Sequence, residues 1–220
     1  MFRKLYLSPL GYLISLVLNV LGAVSRPFMV YGYVSRKDGR FLRFTRVSSN
    51  AKILDAANLK IGDHCWVGPH CLIDASGGVE IGEGVQISSL NAVLSHSSHV
   101  SVRLLGKQFI TTPTPQRLGF IKSPVVIGDF TFVGSGAIIL PGTQIGKGCV
   151  IGAGSLIRGH IPDHSVVVGN PGRIIGTTDK YDAEFVRSGA VDATFFDSAR
   201  LAELKAGTTD TANAAPTQSH

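Results

Sequence analysis

The sequence predicts an all-β protein built as a parallel β-helix, and three regularities carry that prediction. A branched apolar residue returns every six positions, at Ile61, Val67 and Ile73, then Ile81, Ile87 and Val93, then Ile127, Val133, Ile139, Ile145, Ile151 and Ile157. Glycine follows it at Gly62, Gly68, Gly82, Gly128, Gly134, Gly146 and Gly152. Four places after it stands a small residue: Cys65, Cys71, Asn91, Thr131, Ala137, Thr143, Cys149 or Ser155. Strands alternate with period two and helices repeat about every 3.6 residues, so period six marks a solenoid of short strands. The large residue fills the interior, the small one fits where the interior narrows, and glycine eases the corner.

The elements follow in order. Leu5 to Val24 is nearly all apolar. Three readings compete for it. A signal peptide would use Arg3 and Lys4 as its charged start and Ala23-Val24-Ser25 as a cleavage site. A membrane span is weakened by Ser8, Pro9, Ser15 and Asn19 in a stretch of barely sufficient length. An amphipathic helix is favoured, because Gly11, Ser15, Asn19, Gly22 and Arg26 recur at intervals of three and four and share one narrow face. Such a helix packs on the protein or lies in a membrane interface. Residues 27–46 read as lead-in strands, so 1–46 forms one N-terminal unit. The hexads occupy 47–176, interrupted over 97–124 by an inserted loop that holds Arg103, Lys107, Pro113, Pro115, Arg117 and Lys122. Long loops in compact domains are often functional. Residues 177–206 read as C-terminal helices, one over Asp179–Val186 with Thr178 or Asp179 as cap and one over Asp192–Lys205. The small, polar stretch 207–220 is expected to be disordered.

Composition narrows the class. A chain of 220 residues with 44% hydrophobic and 16% charged residues can bury a sizeable core. Its three cysteines all occupy the small inward slot, which predicts reduced, structural thiols. Their number and spacing fit neither a disulfide framework nor a zinc pattern. The net charge is +6, yet residues 1–46 carry eight basic side chains against Asp38 alone. That region suits anionic phosphates or a membrane surface.

The hexads, the insertion and the stretch VIGAGSLIRGHIPDHSVVVGNPGRIIG (Val150 to Gly176) resemble the hexapeptide-repeat acyltransferases. The likeness is strongest to O-acetyltransferases of the galactoside and maltose type and to their polysaccharide-biosynthesis relatives. It covers about residues 50–176. The resemblance implies a left-handed β-helix, a homotrimer, and acetyl-CoA as co-substrate. It also implies an enzyme, an O-acetyltransferase that modifies a saccharide hydroxyl in cell-surface polysaccharide biosynthesis. His96, in VLSHSSH, matches the family's general base. Neutral imidazole can take the proton of a hydroxyl as it attacks a thioester. His99, three residues on, is the alternative base or a residue holding the acceptor. Asp74, in LIDASGG, matches an acidic residue that orients the base or binds the acceptor hydroxyl, against a plain turn-forming Asp. For the cofactor, Ser135 matches a serine near the thioester, and Phe132 stands where tryptophan is common. Ala153 matches a backbone contact to the pantetheine arm. Arg158 stands where the family has threonine ahead of a lysine, and Gly159 replaces that lysine. Arg173 matches a basic residue suited to the CoA phosphates, against an ordinary surface charge.

Other classes compete with this one. A zinc enzyme on the same fold needs three converging histidines, and no third one joins His96 and His99, so no metal is expected. His64 and His70 read as surface residues on different faces. A non-catalytic assembly solenoid and an N-acetyltransferase acting on an amino sugar remain as alternatives. No nucleic-acid partner is expected. A cytosolic donor implies a cytoplasmic protein, with residues 1–26 able to touch the inner face of the membrane and the acceptor able to be lipid-linked.

Overall fold

Every branched residue of the hexads is buried in one continuous core, none more than 3% exposed. A computed structural model describes residues 8–24, 27–192, 194 and 198–211. The chain winds through three faces, here A, B and C, in that order along each coil. Faces B and C each contain five parallel strands, and face A contains eight strands. Face B stacks 52–54, 72–74, 92–94, 138–139 and 156–157. Face C stacks 59–61, 79–81, 125–127, 144–145 and 160–161. The architecture is a left-handed parallel β-helix, as the repeat and the resemblance predict.

The small inward slot does more than fit. Cys65 Sγ donates to the carbonyl of Gly82 at 3.1 Å, Cys71 Sγ to Ser88 at 2.9 Å, and Cys149 Sγ to Pro162 at 3.1 Å. Thr131 Oγ1 donates to Gly146 O at 2.8 Å, and Asn91 Oδ1 accepts the Ala137 N–H at 2.8 Å. These side chains tie one coil to the next and satisfy polar groups that would be costly to bury alone. All three thiols are free and buried. Desolvation raises the pKa of each, that of Cys65 to about 11, which suits structural rather than reactive roles.

At the N-terminal end, helix α1 (Pro9–Val24) precedes a hairpin of β1 (Met29–Val34) and β2 (Phe41–Ser48). Strand β2 enters face A by pairing in parallel with Trp66–Val67, and β1 lies antiparallel at its outer edge. The lead-in strands therefore merge with the solenoid, and β2 crosses the expected boundary at 47.

At the other end the hexad pattern stops as a coil after Val168. The chain reverses, and Arg173–Thr177 pairs antiparallel with Ser165–Val168. This strand is exposed along its length and caps face A instead of continuing the repeat to 176. The insertion over 97–124 is not a bare loop. It holds a short helix α2 (Ser101–Leu105) and closes on a two-residue ladder, His96↔Lys122 and Ser97↔Ile121.

Helix α3 (Asp179–Arg187) packs near α4 (Ser198–Thr211), where the guanidinium of Arg200 pairs with Asp179 and with Asp182 at 3.7 Å. Helix α4 begins later than the expected Asp192. It runs through 207–211, which were expected to be disordered, because a helix anchored by buried Leu204 extends at little cost per residue. The rest of that stretch, 212–220, lies outside the described residues, as do the Arg3 and Lys4 of the expected N-terminal start.

Candidate active site at the corner between faces B and C

The strand Leu72–Asp74 lies beneath Ala92–Leu94 with Asp74 opposite Leu94, so Ser76 comes under His96 one coil above. The corner there is wider than a hexad because Gly77 and Gly78 lengthen it. Gly77 has no alternative: a Cβ would sit 2.2 Å from the carbonyl oxygen of Ser95. Its N–H donates to Ser95 Oγ at 2.8 Å, and Ser95 Oγ donates to Asp74 O at 2.6 Å. The corner is thus fixed by buried polar bonds before any functional group is considered.

Asp74 is buried, and its two oxygens have different partners. Oδ1 accepts the Ser76 N–H at 3.0 Å, and Oδ2 pairs with Nδ1 of His96. Ser76 Oγ also lies 2.9 Å from that nitrogen. An ionised carboxylate only accepts, so Nδ1 carries the hydrogen and the lone pair of the neutral ring is on Nε2. The His96 side chain is 37% exposed, so the ring is held at one nitrogen and reachable from solvent.

The insertion supplies the remaining wall. Phe120 stacks on the imidazole with ring centroids 5.4 Å apart and planes 18° apart. Arg117 sits over Phe109 at 4.3 Å and over Phe120 at 5.8 Å, and its Nε donates to Thr112 O at 2.8 Å. His99 is exposed beside the ladder, with Ser97 Oγ 2.7 Å from its Nδ1 and its carbonyl accepting from Arg103 Nη1 at 2.5 Å.

The cofactor candidates sit elsewhere on the chain. Phe132 projects from face A, 44% exposed, while Ser135 and Ala153 lie exposed at the corner between faces A and B. Successive coils place them together, since Gly154 N–H donates to Ser135 O at 2.9 Å. Arg173 is exposed on the capping strand of face A. Arg158 alone shares the B–C edge, two coils above His96 and also exposed. Within one chain, then, the structure joins Asp74 to His96 and leaves Phe132, Ser135, Ala153 and Arg173 across face B.

Two further side chains belong to the corner and were not singled out from the sequence. Ser76 was legible: a coil of twenty residues, Ile53 to Ile73 to Val93, sets residue 76 against 96. Phe120 was not, because its approach depends on how the whole insertion folds back. His64 and His70 sit at two other corners with φ of 61° and 58°. His64 stacks on Phe44 at 4.7 Å, and His70 lies 3.0 Å from Asn50 Nδ2. A groove of about 570 Å³ runs past Gly62, Gly82, Gly128 and Gly146, and none of the candidate residues lines it. Among the described residues, no group of three or more His, Cys, Asp or Glu could hold a metal ion.

Residues 124–159 match the family described as bacterial transferase hexapeptide (six repeats), and 58–89 match the hexapeptide repeat of succinyl-transferase. The chain is a hexapeptide-repeat β-helix, and proteins named acetyltransferases are among its relatives. WbbJ of Escherichia coli K12, named for O-acetyl transfer in lipopolysaccharide biosynthesis, is 34% identical over 56% of this chain and 60% of its own length. A protein of Mycobacterium tuberculosis named a probable acetyltransferase is 34% identical over 54% of this chain and 37% of its own length. The matches thus span less than two thirds of these relatives. A hexapeptide-repeat acetyltransferase of Vibrio cholerae, solved with acetyl coenzyme A, shares the fold. Its TM-score is 0.50 and its identity 24%, over 57% of this chain and 63% of that one.

Proposed function

We propose that the protein is an acetyl-CoA-dependent O-acetyltransferase acting on a saccharide hydroxyl, with His96 as general base. The observation that carries this reading is the pairing of buried Asp74 with Nδ1 of His96, which leaves Nε2 as a lone-pair base at the exposed rim. An unactivated hydroxyl is a weak nucleophile, and a base of this kind is what its transfer chemistry needs.

In this reading the acceptor O–H gives its proton to Nε2 as the oxygen attacks the acetyl carbonyl carbon. The resulting imidazolium is stabilised by Asp74. Collapse of the adduct breaks the C–S bond, and the proton held on His96 passes to the departing sulfur. Ser135 is assigned as a donor to the developing oxyanion. Exposed Arg158 and Arg173 suit the CoA phosphates, and Ala153 leaves the backbone open to the pantetheine arm. Ser135, Ala153 and Arg173 lie across face B from His96, so the reading assigns them to a neighbouring copy in a homotrimer, while Arg158 shares the B–C edge with His96. The donor is cytosolic, which assigns the protein to the cytoplasm. WbbJ supports an acceptor of cell-surface polysaccharide biosynthesis.

The test is release of CoA thiol from acetyl-CoA across a panel of nucleotide sugars, oligosaccharides and amino sugars. Turnover is expected with a hydroxyl acceptor, and His96→Ala should lower kcat by about two to four orders of magnitude. CoA affinity by calorimetry should be unchanged. Near wild-type turnover in His96→Ala would remove the base from this position, and loss in His99→Ala would move it three residues along. Turnover only with amines would replace the O-acetyl reading.

A further inference from the structure

We propose that helix α1 and the β1–β2 hairpin together form a docking surface for an anionic lipid bilayer. Helix α1 is exposed on almost every side. Among its described residues only Gly11 is buried, Ile14 and Ser15 are half-buried, and Asn19 and Gly22 of the small, polar stripe are exposed. Its large apolar residues face outward. Leu10, Leu13, Leu16, Val17, Leu18, Val20 and Leu21 are each between 51% and 57% exposed, and Tyr12 is 70% exposed. Helices in water bury such residues, and a broad apolar surface facing outward matches a hydrocarbon neighbour.

The helix is too short to span. Sixteen residues rise about 24 Å at 1.5 Å each, against about 30 Å of bilayer hydrocarbon. Among the described residues, no helix is long and apolar enough to cross a membrane. A helix of this kind lies in the interface instead.

The hairpin that follows supplies the electrostatic half. Phe28, Tyr31, Phe41 and Phe44 are each at least 54% exposed. Arg36, Lys37, Arg40, Arg43 and Arg46 are exposed among them. Arg46 lies over the Tyr31 ring at 4.9 Å and Arg43 over Phe44 at 5.5 Å. Asp38 is the one acidic residue of 1–46, and it is already paired with Arg40 Nε at 2.8 Å. Exposed aromatics mixed with cations that outnumber their one acidic neighbour are the chemistry of the headgroup layer, where rings seat at the boundary and guanidinium groups meet lipid phosphates. Apolar helix and cationic hairpin are consecutive in the chain, so one bilayer accounts for both.

The experiment is co-flotation of the full chain with vesicles of neutral phosphatidylcholine and with vesicles containing phosphatidylglycerol, at low and high salt. Binding is expected to the anionic vesicles and to weaken with salt. Each cation near such a surface is worth about fivefold in affinity, so the combined variant Arg36→Gln, Lys37→Gln, Arg40→Gln, Arg43→Gln should bind about six-hundredfold more weakly. The double variant Leu13→Asp, Val17→Asp should lose binding at any salt. All six positions are exposed, and an unchanged unfolding temperature should show that the solenoid is intact. A full chain that ignores anionic vesicles at low salt would overturn the proposal. So would binding that the four glutamines leave unchanged. A third refuting outcome is a fall in solution mass in the double-aspartate variant without vesicles, which would make a second copy of the chain the occupant.

Discussion

Asp74 and His96 are 22 residues apart, and their meeting follows from one coil plus two residues. The carboxylate is buried and aimed, so its loss should act through the imidazole. An asparagine there can turn its amide toward Nδ1 and donate, which favours the hydrogen on Nε2 and removes the lone pair. Asp74→Asn should therefore lower kcat by about two to four orders of magnitude while leaving the KM for acetyl-CoA unchanged. A proportional loss of folded protein instead would make Asp74 a structural residue of the corner. Phe120 acts on the ring face, so Phe120→Leu should lower kcat less than Asp74→Asn does, and Phe120→Tyr should restore it. The sequence carried His96 and Asp74 through their motifs and Ser76 through the coil length. Nothing in it pointed to Phe120, because stacking across an insertion obeys no period.

At the scale of the element, the coil was legible because two constraints repeat with it. The large residue must fill the interior and the small one must fit and bond the coil above. What the structure adds to the small slot is its bonding to the next coil, and Cys65 shows the consequence. Its thiol is protonated in both states below about pH 9. Desolvation by burial raises the folded pKa from 9.0 to about 11. Between those values the unfolded chain releases the proton and the folded chain does not, so stability falls as pH rises through this window. Cys65→Ala should remove part of that alkaline loss, measured as unfolding temperature against pH, at the cost of the bond to Gly82 O. An unchanged alkaline slope would show that Cys65 does not carry the effect. The ends of the solenoid were less legible. The reversal after Val168 replaces a coil by an antiparallel cap, and a six-residue period has no way to announce its own termination.

For the whole molecule, the decisive fact is that face B separates two groups of candidate residues. Asp74, Ser76 and His96 occupy its B–C edge, while Ser135 and Ala153 occupy its A–B edge, with Phe132 and Arg173 on face A. A short strand cannot bring one edge to the other, and a rigid solenoid has no hinge to do so. If both groups serve one reaction, a second copy must present its A–B edge to the first copy's His96. Cyclic assembly with a heterologous contact satisfies this at every interface at once. The consequence can be measured with two defective variants. Arg173→Ala should raise the KM for acetyl-CoA about tenfold, the scale of one charge-assisted contact, and His96→Ala should abolish turnover. Unfolded, mixed in equal amounts and refolded together, they should form trimers in which about a quarter of the interfaces join an intact His96 to an intact Arg173. Assayed at low acetyl-CoA, the mixture should exceed the average of the two separate preparations. Activity equal to that average would mean that each chain completes its own site, and Arg173 would then be an ordinary surface charge.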